Sequence, residues 1–194
     1  MEQISRLGLA KRRKIIESEW TQFVAGRTDL TTETIRRDIM SSWQRSVQNV
    51  SAVGQAPADD AYTVSNLWKE SLLRQAAERG QEQIIQLAKE GELVAAIADA
   101  SGRLLWTYAS RHMQPLAEAV NFTAGGRWDE RSVGTNAVGL SLNLKSSVTV
   151  FSSEHYQSFV HDWVCYAAPI IHPQSGECVG ILDLSTTWKR HTPL

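Results

Sequence analysis

The sequence predicts an α+β fold, an antiparallel sheet with helices on one face and a lidded pocket on the other, preceded by a helical extension. Three observations carry the class. The hydrophobic period is helical across residues 3–90 and changes at Glu92 to short apolar runs. Two hairpin signals follow, at Asp99-Ala100-Ser101-Gly102 and at Pro173 to Gly176. Between them lies a long irregular excursion that includes "GGRWDERSVGTNAVGLSL", residues 125–142. Strands grouped after helices read as α+β.

The elements follow in order. Ile4, Leu7, Ile15, Ile16, Phe23 and Val24 recur at helical spacing, with Gly26 as a C-terminal cap. Thr31 or Thr32 can cap a second helix whose face is Ile35, Ile39, Trp43 and Val47. "NVSAVGQAPADD", residues 49–60, is small and polar and reads as a linker. Residues 1–60 then form the helical extension and linker, and 61–194 the sheet-bearing domain. A third helix spans about Ser65 to Glu90, with Gly80 as its weak point. Strands flank each hairpin turn, and Ser147 to Phe151 adds another. In the excursion, Ser132 or Thr135 can cap a helix carrying Val138 and Leu142.

Charge and composition exclude several classes. Lys+Arg 20 against Asp+Glu 21 gives a net charge of -1, with no global pull toward nucleic acid or anionic membrane. The run Lys11-Arg12-Arg13-Lys14 is followed by Glu17 and Glu19 and reads as a solvated helix face. No signal peptide or span of about 20 apolar residues is visible, so a cytoplasmic location is expected. Seven tryptophans are unusual for this length; most are expected in the core, and since pockets for organic molecules favour aromatic walls, a minority are expected to face a ligand.

Catalytic and metal chemistry find little support. Gly134-Thr135-Asn136-Ala137-Val138-Gly139 lacks the Lys-Ser/Thr of a phosphate loop and the glycine spacing of a dinucleotide site. Cys165 and Cys178 flank the second hairpin. A turn centred near Ser175 sets Cys165 opposite Ser185 and Cys178 opposite His172, with the thiols roughly 20 Å apart, so no disulfide is expected. His155, His161 and Cys165 suggest a metal, but Trp163 to Ala167 reads as a strand, and none is expected. Asp183 stands in "GILDLS", a strand that otherwise reads as buried. It must lie at an edge, be paired, or face a polar cavity.

Three stretches in this order carry a resemblance: "GGRWDERSVGTNAVGLSL", "VTVFSSEHYQSFVHDWVCYAAPI" and "VGILDLS". They resemble the GAF domain of bacterial transcriptional regulators, in particular acetoin- and glycerol/dihydroxyacetone-type activators and related actinobacterial regulators. The upstream "IRRDIMSSWQRSV" is similar to the Ser-Trp-x-Arg helix that precedes that domain. One departure is "QNVSAVGQAP", where many relatives carry a Cys and a Gly-Leu-x-Pro turn.

The resemblance implies a small-molecule pocket covered by the stretch from Asn121 to Asn143. It marks Trp128, Asn136, His155, His161, Trp163 and Cys165, and Trp106 and Asp183 join them as candidate ligand contacts. Asn136 would orient a carbonyl or hydroxyl, and the indoles would supply apolar contact. The expected function is small-molecule sensing for a transcriptional regulator. No catalytic residue and no cofactor is expected, and the ligand would be a small ketone, diol or phenol. The chain ends without a closing helix, so a sensory region is expected whose DNA contact lies in other domains. The Ile35, Ile39, Trp43 stripe suggests a homodimer through the N-terminal helices. An alternative is a dimerisation module with a collapsed pocket; a pocket of ~300 Å³ or more would favour sensing. Methionine sulfoxide reduction needs clustered cysteines, which two distant thiols do not supply.

Overall fold

The computed structural model of the chain describes residues 6–27, 34–50 and 54–190. Helix α1 spans Arg6–Val24, and Gly26 follows at φ 91°, the left-handed conformation expected at a helix exit. Helix α2 spans Arg37–Asn49. Ile35 is buried ahead of it, Ile39 and Trp43 are buried within it, and Val47 is exposed. The buried stripe is therefore shorter than the sequence suggests. Ile4, the Leu7 side chain, Thr31, Thr32 and His191 lie outside the described residues.

The single helix predicted for 65–90 is two, α3 (Ala61–Glu70) and α4 (Leu72–Glu90). The break falls at Ser71, whose hydroxyl accepts from Leu73 N and caps α4. Gly80 sits inside α4 without interrupting it. Its intrinsic cost of about 1 kcal/mol is smaller than what packing of the helix supplies.

The sheet begins with β1 (Val94–Asp99) and β2 (Leu104–Ala109). Its turn closes as Asp99 Oδ1 accepts from the amides of Ser101 and Arg103. The excursion then carries α5 (Gln114–Ala119), α6 (Glu130–Val133) and α7 (Ala137–Leu144) before β3 (Val148–Phe151). Strands β4 (Trp163–Ile171) and β5 (Cys178–Thr187) complete an antiparallel sheet of order β2-β1-β5-β4-β3. Cys165 pairs with Ser185 as expected, but Cys178 faces Ile171 because the register shifts between Ile170 and Ile171.

Strand alternation sorts side chains to two faces. On one, Leu73 and Ala77 of α4 cover Ile97 and Leu105. On the other, α7 and the rest of the excursion lie over Val94, Ala96, Ala98 and Cys165. The predicted architecture is thus observed. The N-terminal helices join this second face: Leu9, Ile16, Phe23, Ile39 and Trp43 belong to the same core as Trp163 and Ile181. The Trp43 indole donates to Glu154 O at 2.8 Å and stacks on Phe23 at 5.3 Å. The stripe that pointed to a dimer is therefore covered within the chain.

Residues 54–59 are also tied down. Ala56 is buried, its carbonyl accepts from Asn121 Nδ2, and Asp59 pairs with Arg103 and Arg127. Among the described residues no helix is long and apolar enough to cross a membrane.

Candidate functional site

Under the excursion, the face of β4 and β5 meets a small closed cavity of about 10 Å³. Its lining includes Trp128, Asn136, His155, Trp163, Cys165 and Asp183, together with Phe122, Ala137, Val138 and Val160. Six of the eight residues singled out from sequence are thus brought together. Phe122 stands at the centre, 4.8 Å from the Trp128 ring and 5.5 Å from the Trp163 ring. Nothing periodic marks Phe122, a lone aromatic in a loop. The sequence reading missed it.

Two residues fall outside. Trp106 pairs with Ile97 on β1 and packs with Leu73 and Leu105 on the opposite face, so it is no part of the cavity. His161 lies behind His155. Its Nε2 meets His155 O at 3.1 Å, its Nδ1 meets Ser153 Oγ at 3.1 Å, and its ring meets Trp20 edge-on at 4.6 Å. A carbonyl can only accept, so Nε2 carries the proton and Nδ1 accepts. Both nitrogens are engaged, and burial lowers the His161 pKa to about 4. Its work is to hold His155 in place.

Asn136 lines the cavity but turns its polar atoms to the backbone. Oδ1 accepts from Gly139 N and caps α7, and Nδ2 donates to Gly134 O. The cap expected at Ser132 or Thr135 is thus Asn136, while Asp129 caps α6. Gly134 makes the tight link between them at φ 72°, where a Cβ would come within 2.6 Å of the Tyr156 ring. Trp128 is fixed by its indole, which donates to Asn121 O at 3.0 Å.

Two polar atoms of the cavity lining stay unmatched. His155 is fully buried, and its Nδ1 faces Ser152 O at 2.8 Å, so the proton sits on Nδ1. Burial lowers its pKa to about 3, so the ring is neutral and Nε2 is a bare acceptor without a hydrogen-bond partner. Asp183 accepts from Ser185 Oγ at 2.5 Å through Oδ1, whereas Oδ2 has no partner. Burial raises the Asp183 pKa to about 7, against the opposing pull of Ser185. Of the readings open from sequence, the observed one is a buried carboxyl in a central strand, facing the cavity. Burial and the neighbouring Asp183 push the Cys165 thiol well above its ordinary value, which makes it a poor nucleophile. Among the described residues, no group of three or more His, Cys, Asp or Glu side chains is placed to hold a metal ion.

The walls of this cavity are clamped to the N-terminal helices. Arg45 makes two hydrogen bonds to Glu130 at 2.8 Å, and Ser42 reaches both Glu130 and Thr135. Burial-opposed but dominant, the Glu130 contact raises the Arg45 pKa. Buried Glu154 accepts from Arg12, Arg36 and Phe151 N. Arg13 reaches Ser152 and Asp162. The run at residues 11–14 is therefore only partly a solvated face, because two of its arginines point into the domain. Ser42 and Arg45 belong to the Ser-Trp-x-Arg pattern, but its spacing does not reveal what they touch.

A family model of the MimR N-terminal domain matches residues 17–194. The chain belongs to that family. It is 32% identical over 172 residues to the acetoin dehydrogenase operon transcriptional activator AcoR of Bacillus subtilis, covering 86% of this chain and 28% of AcoR. It is 25% identical to the propane 2-monooxygenase operon transcriptional activator MimR of Mycolicibacterium goodii, covering 83% of this chain and 27% of MimR. A Rhodococcus erythropolis 47.3 kDa protein in the thcA 5' region is 42% identical over 102 residues, 53% of this chain and 23% of that protein. The MimR-type chain described here thus spans about a quarter of the length of these relatives. The E. coli DhaR(N) chain solved in complex with DhaL is similar in fold, with a TM-score of 0.73 at 17% identity over 80% of this chain and 53% of that one. The GAF-like architecture of this MimR-type domain agrees with that fold.

Proposed function

We propose that this chain is the sensory domain of a transcriptional activator and responds to a small molecule held behind the lid. The observation that carries the reading is the buried cavity with aromatic walls, in which His155 Nε2 and Asp183 Oδ2 have no partner. Leaving a buried polar group unpaired costs about 1–3 kcal/mol, and ligand sites tolerate that cost because the ligand supplies the bond. The cavity of about 10 Å³ falls short of the ~300 Å³ that an open ligand pocket needs and holds no more than a water, so sensing requires that binding be coupled to displacement of the lid.

That coupling gives a route for the signal. Glu130 and Thr135 of the lid are held by Ser42 and Arg45, and Glu154, next to His155, is held by Arg12 and Arg36. A moved lid loosens or reseats α1 and α2, a two-state element biased by ligand. The domain would act in the cytoplasm, with DNA contact supplied by other domains of the activator. The AcoR and MimR relatives, both named as operon activators, support the regulatory role.

A thermal-shift screen of small neutral, anionic and cationic molecules tests the sensing reading. A ligand at one hundred times its dissociation constant stabilises the domain by about 2.7 kcal/mol. A broad screen without a stabilising compound would leave only an interaction module with a closed pocket.

A further inference from the structure

We propose that the cavity selects a small uncharged molecule with a hydroxyl on an apolar body, an alcohol or phenol, which donates to His155 Nε2 and displaces the Phe122 ring from between Trp128 and Trp163. This rests on the sensing reading and names its ligand class.

The hydrogen-bond directions set the class. With its Nδ1–H committed to Ser152 O, neutral His155 offers only a lone pair to the cavity. A ketone, ether or hydrocarbon has no proton to give it. A hydroxyl has one donor and two lone pairs, and a second partner lines the same cavity in Asp183, whose Oδ2 is unpartnered. With its pKa raised to about 7, Asp183 has a protonated form that can donate back to the same oxygen.

Charge narrows the class further. Among the described residues no arginine or lysine lines the cavity; Arg12 and Arg36 are turned to Glu154, and Arg45 to Glu130. A carboxylate or phosphate there would face the His155 lone pair with no counter-ion, and the cost of burying it is several kcal/mol. An ammonium would need the ionised form of Asp183 as its counter-ion, which burial disfavours, and must also shed its hydration.

Size names the plug. A cavity of about 10 Å³ admits an organic molecule only if a side chain leaves. Phe122 is the candidate, because it lies between strands and helices, just after Asn121 at φ 58°, and its ring meets both indoles. Swinging it out breaks no rung of the sheet. The space it frees is that of a six-membered ring, with aromatic contacts on two sides.

The test compares four probes of one ring size, phenol, toluene, benzoate and benzylamine, by calorimetric titration of the intact chain. Phenol is expected to bind at least tenfold more tightly than the other three. Phe122→Leu is expected to bind phenol more tightly than the unsubstituted chain. In protein labelled with ¹⁵N-histidine, phenol is expected to shift the His155 Nε2 resonance and toluene to leave it in place. That readout needs no substitution that could fail to fold. Tighter binding of benzoate or benzylamine, or equal binding of toluene, overturns the hydroxyl assignment and leaves the sensing reading intact. Phenol binding without a His155 Nε2 shift overturns the site. No binding of any probe by either protein overturns the proposed class, while the broad screen above decides the sensing reading separately.

Discussion

On one face of the sheet, α3 and α4 lay Leu73 and Ala77 over Ile97 and Leu105, with Trp68 and Trp106 at the margin. On the other, the lid buries Asn136, His155 and Asp183 among Phe122, Trp128 and Trp163. The first contact is aliphatic and non-directional, and it works for any side chains of suitable volume. The second depends on hydrogen-bond direction, and two of its atoms go unpaired. Directional bonding and responsiveness are thus confined to the lidded face. The N-terminal helices are attached to the responsive one.

The sharpest way to break this contrast is to truncate one tryptophan on each face. Trp43→Ala removes a fully buried ring and its bond to Glu154 O, and should cost about 3–5 kcal/mol in urea unfolding. Trp106→Ala removes a partly buried ring and should cost about 1–2 kcal/mol, with ligand binding unchanged. Weakened ligand binding by Trp106→Ala would abolish the distinction.

Asp183→Asn probes the responsive face through pH. A carboxyl whose pKa is raised from 3.8 to about 7 stabilises the fold fully below pH 3.8 and loses that contribution as pH rises through 7. The amide cannot ionise, so the variant should match the parent near pH 4 and exceed it at pH 8 by about 4 kcal/mol. His155 and His161 run the other way. Their pKa values are lowered from 6.5 to about 3 and about 4, so their contribution is present above pH 6.5 and is lost as pH falls toward those values. Near pH 5 the parent should gain stability with rising pH at a slope of about one proton, and Asp183→Asn at about two. Denaturant midpoints across pH 4–8 check both signs.

Asn136→Ala should cost about 1 kcal/mol by unfolding, the value of a helix cap, and the loss should be the same with or without ligand. A loss confined to the ligand-bound protein would show that Asn136 reaches the ligand after all. Smallest of all, Arg45→Ala should change stability by under about 1 kcal/mol, since its guanidinium is half exposed. Hydrogen exchange over residues 129–136 should nonetheless quicken, because a clamp on the lid is gone.

The fold was legible where periodicity and turn chemistry are local. The change of period at Glu92, the turn at Asp99 and the pairing of Cys165 with Ser185 all follow from alternation and turn residues. The break at Ser71 was not, because one hydroxyl decides it and serine is common elsewhere in the chain. Five cavity residues were legible through motif resemblance and Asp183 through its place in an otherwise apolar strand, yet the roles of Asn136 and His161 were not. Both carry polar groups suited to a ligand, but in the fold neighbouring backbone atoms occupy them, and those neighbours are set by tertiary packing that no local pattern encodes. Trp106 shows the limit of composition: an aromatic ring suits a pocket wall, but strand parity sends this one to the other face.

The sheet order has a consequence for how the domain comes together. Strand β5 is the only described strand that bridges β1 and β4, and it is the last of the five to leave the ribosome. Until it arrives, β1–β2 and β3–β4 are separate two-stranded ribbons, each marginal in water. Its pairing of Val94 with Ser185 closes a long loop, which makes assembly a slow, non-local step. The same strand carries Asp183, so the carboxyl that faces the cavity is set in place by the event that completes the sheet.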